Sequence, residues 1–300
     1  MLLHGREIRW DSFYLLSYIL WGVGGFVESG KPMNPTPPYR STLVVPTYNA
    51  MAFIDATVVR LRRFVAEHPD WCVLFVCDGC SDGSAPHLEK LLQADGPAMQ
   101  VISYERNRGK GYALRLGLTQ ATTPYRVFTD VDLAYDPDEA LKIVRVLEAG
   151  ADVAVVNRAS PESCFLISPR DFPNIYRRHL MSRSFNWWLR QVLPIKILDT
   201  QAGLKGVTAA AWDIVGPKMT CDGFFVDVEL LARAHVEGLV LRETPIVFRY
   251  ADPTTVRMVK HGGQMFFDTL RLRRKLHQEM KERKKTEASA EKTRAMPINT

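Results

Sequence analysis

Between residues 41 and 157 the chain repeats one pattern, a short run of β-branched and aromatic residues followed by a stretch with helical apolar spacing. The short runs are TLVVP (42–46), CVLFVC (72–77), MQVISY (99–104), YRVFTD (125–130) and DVAVVN (152–157). The stretches between them, near 51–67, 84–95, 110–121 and 136–149, set apolar residues three apart, as in Leu141, Val144 and Leu147, which is the period of a helix that buries one face. Strands separated by helices of this length have to cross over, and right-handed crossovers give a parallel sheet covered by helices on both faces. The expected fold class is therefore α/β, a doubly wound and mostly parallel sheet. Ligands of such sheets sit at the carboxyl ends of the strands, so the residues that follow each run are the ones to inspect.

Three of these ends are polar. The first run opens into PTYNA with Pro46, Tyr48 and Asn49, the second into CDGCSDGS with Asp78, Gly79 and Asp82, and the fourth into FTDVDLA with Asp130 and Asp132. Tyr48 can stack on a base, Asp78 can accept a hydrogen bond from a base N–H, and Gly79 and Gly83 allow close backbone approach. In NRGKGYALRLGL (107–118) Arg108 and Lys110 fall at a helix N-terminus, a favourable place for anions; taken singly, the segment reads as a solvated basic turn. Asp130 and Asp132, spaced Asp-x-Asp, offer hard oxygen ligands for Mg2+ or Mn2+, and such an ion usually shares its shell with substrate phosphates. The same spacing fits a structural role, with Asp130 starting a turn and Asp132 capping a helix that begins near Asp136.

After about Ser160 the alternation lapses. A long helix over 174–192 holds Trp187 and Trp188, and a turn-rich stretch (199–208), a helix near 226–237 and a strand over 239–250 follow. A basic amphipathic helix is expected over 255–285, with a polar tail over 286–300. The net charge is +6, and eight basic against two acidic residues between Arg271 and Lys285 account for all of it. A neutral body with one basic segment argues for a local anionic partner such as a membrane surface, and against nucleic acid. Ahead of the sheet, residues 12–27 carry no charge but fall short of the ~20 that span a bilayer, and KPMNPTPPY (31–39) reads as a linker. The domain plan is thus 1–40, 41–254, 255–285 and 286–300. Five cysteines without framework spacing point to a reducing compartment, and Cys77-x-x-Cys80 reads as structural because no second pair completes a zinc site.

Taken in order, VVPTYNA, VCDGCSDGS, NRGKGYALRLGL and FTDVDLA resemble the nucleotide-sugar half of family 2 glycosyltransferases, which have the GT-A fold. DTQAGLKG (199–206), FFVDVELLARAHVEG (224–238) and LRETPIVF (241–248) resemble the dolichyl-phosphate glucosyltransferase and dolichol-phosphate mannose synthase branch, so the resemblance covers about 42–275. It implies that Pro46, Tyr48 and Asp78 hold the nucleotide base, with Asn49 and Gly79 in the same loops. It further implies that Asp130 and Asp132 bind the metal and diphosphate, while Lys110 stays a candidate for anionic groups of the nucleotide from its place at the helix N-terminus. Arg158 would face a phosphate or the acceptor, Gln201 and Lys205, with Asp199, would lie near the transferred sugar or acceptor phosphate, and Arg257 would lie close to the membrane. The chain departs from the pattern at Ala50, where relatives often carry Glu, at Cys77 and Cys80, and at Ala134, a position that in some mannose synthases holds a polar metal-shell residue.

The activity this resemblance implies is a metal-dependent, inverting transfer of a hexose from a nucleotide diphosphate sugar, UDP-linked or GDP-mannose, to a polyprenyl or dolichyl phosphate. It would take place at the cytoplasmic membrane face, with the protein peripherally bound. A lipid phosphate is already anionic, so Arg158 and Lys205, which would hold it, count with Asp132 as catalytic candidates. A hydroxyl acceptor on a diacylglycerol, sphingolipid or glycan would instead need a base, for which Asp227 or Glu229 in VDVELLARA is the candidate. A sugar nucleotidyltransferase normally needs a Gly-rich loop after the first strand, where this chain has PTYNAMAF. A non-catalytic nucleotide-binding scaffold would have no use for Asp130 and Asp132.

Overall fold

The computed structural model describes residues 39–166, 172–249 and 258–294. The apolar run 12–27, the linker up to residue 38 and Arg257 lie outside the described residues. The elements are β1 (Ser41–Thr47), α1 (Ile54–Glu67), β2 (Trp71–Asp78), α2 (Ser84–Leu92), β3 (Met99–Tyr104), α3 (Lys110–Gln120), β4 (Tyr125–Phe128), α4 (Glu139–Glu148), β5 (Val153–Val156), β6 (Cys164–Leu166), α5 (Phe172–Val192), β7 (Lys205–Thr208), α6 (Ala209–Val215), α7 (Val226–Val236), β8 (Leu241–Thr244), β9 (Val247–Arg249) and α8 (Met258–Arg294). All five runs expected to be strands form β1 to β5.

Seven strands make the main sheet in the order β3-β2-β1-β4-β7-β5-β8. Successive side chains of a strand point to opposite faces, and here the two faces feed two cores. Leu43, Val45 and Phe75 pack with Ile54, Leu61, Leu88 and Ile143 of α1, α2 and α4. Val44, Leu74 and Val76 pack with Leu114 and Leu118 of α3, Trp212 of α6, Leu230 of α7 and Leu272 of α8. Each such aliphatic side chain contributes about 1.5–3 kcal/mol on burial, so both faces have to be covered for the sheet to persist.

Besides the short β6 and α6, which the sequence pattern does not predict, the structure differs from the sequence expectation in three places. The turn-rich stretch 199–208 ends in a strand, β7, which runs antiparallel between β4 and β5. The strand expected over 239–250 is two, because Pro245 has no N–H for the ladder and restricts Thr244 before it; β9 leaves the main sheet and pairs with β6. Helix α8 continues past Lys285 to Arg294, through Glu, Ala and Lys residues of high helix propensity. Among the described residues no helix is long and apolar enough to cross a membrane.

The inserted strand β7 matters most for function. In register, Lys205 stands opposite both Phe128 at the end of β4 and Val155 near the end of β5. Because β7 runs the other way, its first residue and the loop before it, 199–204, arrive at the same sheet edge as the carboxyl ends of the parallel strands.

Helix α3 reaches the sheet through Gly117, where an added Cβ would lie 2.4 Å from Val44 Cγ1 and 3.0 Å from Val76 Cγ2. Gly117→Val is expected to lower stability by about 1–3 kcal/mol through overpacking, read as a lower thermal midpoint. An unchanged midpoint would contradict this packing.

Candidate active site

The loop after β4 is a tight turn. Leu133 N donates to Asp130 O at 3.0 Å, Ala134 N donates to Asp132 Oδ1 at 3.2 Å, and Leu133 has a φ of 44°. Asp130 therefore does start a turn, but Asp132 caps that turn and not a helix, since α4 begins at Glu139. Both carboxylates remain at the sheet edge. Gly203, on the loop leading into β7, faces Asp130 so closely that a Cβ there would lie 2.2 Å from Oδ2.

Behind Asp130 stands a line of alternating charges. Lys110 Nζ lies 2.7 Å from Asp130 Oδ1 and 3.6 Å from Asp227 Oδ2. Asp227 Oδ1 lies 2.8 Å from Lys205 Nζ, which also donates to Ala202 O. Side-chain exposure falls along the line from 40% at Asp130 through 14% at Lys110 and 8% at Asp227 to zero at Lys205, so Asp130 is the open end of the line and Lys205 its buried end.

The electrostatics follow from this geometry. Burial would raise the Asp227 carboxyl, but Lys205 and Lys110 hold it below the usual carboxylate range. Burial would lower the Lys110 ammonium, but Asp130 and Asp227 hold it above its usual value. Lys205 is pulled down by burial against the attraction of Asp227. Asp132 is raised, first by burial and then by the negative charge of Asp130, and a divalent cation between the two carboxylates would relieve that repulsion. The donor set thus fits a hard cation. Among the described residues, the group of three metal-capable side chains within reach of one another is Glu67, His68 and Asp138, so Asp130 and Asp132 would leave the other coordination positions to substrate and water.

A second ion pair flanks this edge. Arg158 holds Asp199 bidentately, Nε to Oδ2 at 2.7 Å and Nη2 to Oδ1 at 2.9 Å, and its own N–H donates to Oδ2 at 3.0 Å. Burial acts to raise Asp199, and Arg158 overrides it and keeps the carboxyl low. Glu243 Oε1 in turn accepts from Leu198 N and Asp199 N, at 2.9 and 3.2 Å. Tyr135, within electrostatic reach of Arg158, Asp199 and Asp130, is pushed up to about 12 by burial. Gln201 Nε2 reaches Met265 Sδ at 3.9 Å, which ties the 199–204 loop to α8.

The nucleotide-side loops are organised around Asp78. This buried carboxylate accepts four hydrogen bonds: from Tyr104 Oη (2.9 Å), Asn107 Nδ2 (3.0 Å), Arg108 N (2.6 Å) and Gly109 N (2.8 Å). The two oxygens of a carboxylate offer about four lone-pair sites, so the anion at the N-terminus of α3 is Asp78 itself. Gly79, at a φ of 60°, allows the 106–109 loop to close over it, since a Cβ would lie 2.2 Å from Asn107 N. Next to this, Asn49 at a φ of 46° accepts from Ser81 N at 2.8 Å, Pro46 lies in β1 opposite Val76, and Tyr48 is 50% exposed. Arg108 stacks 3.5 Å above the Tyr112 ring. Cys77 is buried and shares a hydrogen bond with Cys80, which brings the Cys80 thiol down to about 7.

Of the two base candidates, Asp227 is the ion-paired residue just described. Glu229 accepts from Thr220 N and Cys221 N, the latter at 2.7 Å, and from Arg233 Nε at 2.9 Å. Its task is to hold the loop that supplies Asp222 O to Gly111 N of α3 at 2.7 Å. The sequence reading missed Gly203, Tyr135, Tyr104 and Asn107. The last two lie in or beside the YERNRGK segment, whose closeness to Asp78 follows only from the pairing of β2 with β3.

The model of the family described as Glycosyl transferase family 2 matches residues 42–197, from β1 through both Asp130 and Arg158. Polyprenol monophosphomannose synthase of Mycolicibacterium smegmatis is 26% identical over 233 residues, 75% of this chain and 84% of that protein. Dolichyl-phosphate beta-glucosyltransferase of Saccharomyces cerevisiae is 22% identical over 245 residues, 77% of this chain and 73% of that protein. Among solved structures, mannosyltransferase PcManGT from Pyrobaculum calidifontis, in complex with GDP-Man and Mn2+, has a TM-score of 0.51 at 21% identity, covering 79% of this chain and 66% of that one, a likeness of fold. With its sheet, its acidic edge and the family match in agreement, the chain belongs to glycosyl transferase family 2 and is a GT-A glycosyltransferase.

Proposed function

We propose that the chain moves a hexose, with inversion, from a nucleotide diphosphate sugar, UDP-linked in the first instance, to a polyprenyl or dolichyl phosphate at the cytoplasmic face of a membrane. Asp130 and Asp132 would hold Mg2+ or Mn2+. The observation that carries the choice of acceptor is the state of the two base candidates. Asp227 is ion-paired to two lysines and held low, and Glu229 is bound by backbone N–H groups and Arg233. Neither is free to take a proton from a hydroxyl, whereas a phosphate acceptor needs no base. Relatives named polyprenol monophosphomannose synthase and dolichyl-phosphate beta-glucosyltransferase support the same acceptor class.

In this reading Tyr48 stacks on the base and Asp78 acts by shaping the Tyr104 to Gly109 loop around it. A divalent ion at Asp130 and Asp132 would supply positive charge opposite the departing diphosphate. Lys110 adds its ammonium on the same side. Arg158, aimed by Asp199, holds the acceptor phosphate, and Gln201 lies on the same loop as Asp199. Lys205 does not touch substrate; it keeps Asp227 ionised, and Asp227 backs Lys110 with a second carboxylate. Arg257 would add a cation toward the lipid. Membrane docking draws support from α8, where Phe267, Leu270, Arg271, Arg274 and Lys275 share one shallow surface and Phe267 is 68% exposed. Aromatic residues beside cations suit a headgroup layer, each cation contributing about 1 kcal/mol at an anionic surface.

The direct test incubates the protein and Mn2+ with a panel of nucleotide sugars and anionic vesicles carrying polyprenyl phosphate, with mass spectrometry of the lipids. A glycosyl phospholipid is expected, and Asp132→Ala should reduce its formation about 100-fold or more; equal turnover would defeat the metal assignment. Asp227 gives a separate test. Its folded carboxyl titrates below the unfolded value, so the ion pairs stabilise the protein above the ordinary Asp range, and this is lost as pH falls through the folded value. Asp227→Asn should cost about 3–5 kcal/mol at neutral pH, with the gap to wild type closing in acid. A general base would instead give an active-site variant of undiminished stability whose turnover loses its acidic limb.

A further inference from the structure

The arrangement at the sheet edge is poor for a metal ion alone. Asp130, one of the two carboxylates offered to the cation, is already neutralised by Lys110 at 2.7 Å, within the range of a charge-assisted hydrogen bond. Gly203 closes on the other oxygen of Asp130, so the carboxylate has little room to turn away from the lysine. Lys110 itself is confined, with Asp227 at 3.6 Å on its far side. Asp227 has a second cation of its own, Lys205 at 2.8 Å, so it is not left unpaired if Lys110 moves. A dication at Asp130 would sit next to this ammonium, and the two repel.

We propose that Lys110 is an internal counter-ion that occupies the cation position on Asp130 until a diphosphate arrives. The diphosphate takes the Lys110 ammonium as its own partner, and Asp130 is released to join Asp132 as a metal ligand. Metal and nucleotide then strengthen one another's binding through the movement of one side chain, and by linkage the effect is reciprocal. No bond is made or broken; one ion pair is exchanged for another. The proposal rests on the reading of Asp130 and Asp132 as metal ligands.

The test measures Mn2+ binding to the full chain by the electron paramagnetic resonance of free Mn2+, with and without UDP. It compares wild type, Lys110→Met, Lys110→Gln, Lys110→Arg and Asp132→Asn, each checked for folding by circular dichroism. Wild type should bind Mn2+ at least tenfold more tightly once UDP is present. Lys110→Met and Lys110→Gln should bind Mn2+ alone at least tenfold more tightly than wild type, with a smaller further gain from UDP, and Lys110→Arg should stay as weak as wild type. A damaged fold would weaken metal binding, so a gain cannot come from structural loss. Mn2+ affinity that is unchanged or lower in both neutral variants, while Asp132→Asn abolishes binding, would overturn the counter-ion proposal alone. Mn2+ binding unaffected by Asp132→Asn would overturn the metal-site reading, and the proposal with it.

Discussion

The pairing of Lys205 with Asp227 is the interaction on which the site depends. Taking both charges out of water costs several kcal/mol per ion, which is offset only when the geometry is close and the remaining donors are satisfied. Here the contact is 2.8 Å, Lys205 has a second acceptor in Ala202 O, and Asp227 has a second cation in Lys110. Removing Lys205 or Asp227 leaves the other buried without its nearest counter-charge, whereas Asp227 keeps Lys205 if Lys110 leaves. The outcome is a fixed electrostatic floor beneath Asp130, whose position follows from the protein's own charges before any ligand binds.

That floor exists because of one topological event, the insertion of β7 against the direction of its neighbours. A parallel strand in that place would deliver its first residue to the opposite edge of the sheet. Running antiparallel, β7 instead brings Lys205, Gly203 and the Asp199 loop to the carboxyl ends of β4 and β5, where Asp130 and Arg158 already lie. The second half of the chain thereby completes a site that the repeating first half begins. Helix α7 contributes Asp227 from its first turn, where a negative side chain also suits the helix dipole.

Much of this was legible in the sequence, for definite reasons. The strands β1, β2, β4 and β5 are fully or largely buried, and with the half-exposed β3 they read as apolar runs separated by helical spacing. The Asp130 and Asp132 pair fits a turn and a cap as well as a metal site by spacing alone, and drew its functional reading from the polar loops that share its sheet edge. The strand β7 was hidden because it is four residues long and contains Gly206, whose missing Cβ makes room for Ile143 of α4. Asp78 read as an open acceptor for a base, but its partners lie on another strand's loop, and only the register of β2 with β3 shows that they fill it. Lys205 and Asp227 sat in separate motifs, one marked for the acceptor and one for proton transfer. Neither motif reveals that the two side chains satisfy one another.

In the proposed function a divalent ion joins Asp130 and Asp132 above the buried pair of Asp227 and Lys205. A crystal structure with Mn2+ and a nucleotide diphosphate, with anomalous differences collected at the manganese edge, tests it most directly. The account predicts a single strong peak between those two carboxylates and the phosphates, with Lys205 still on Asp227. A peak elsewhere, or Lys205 turned outward onto the ligand, would contradict it.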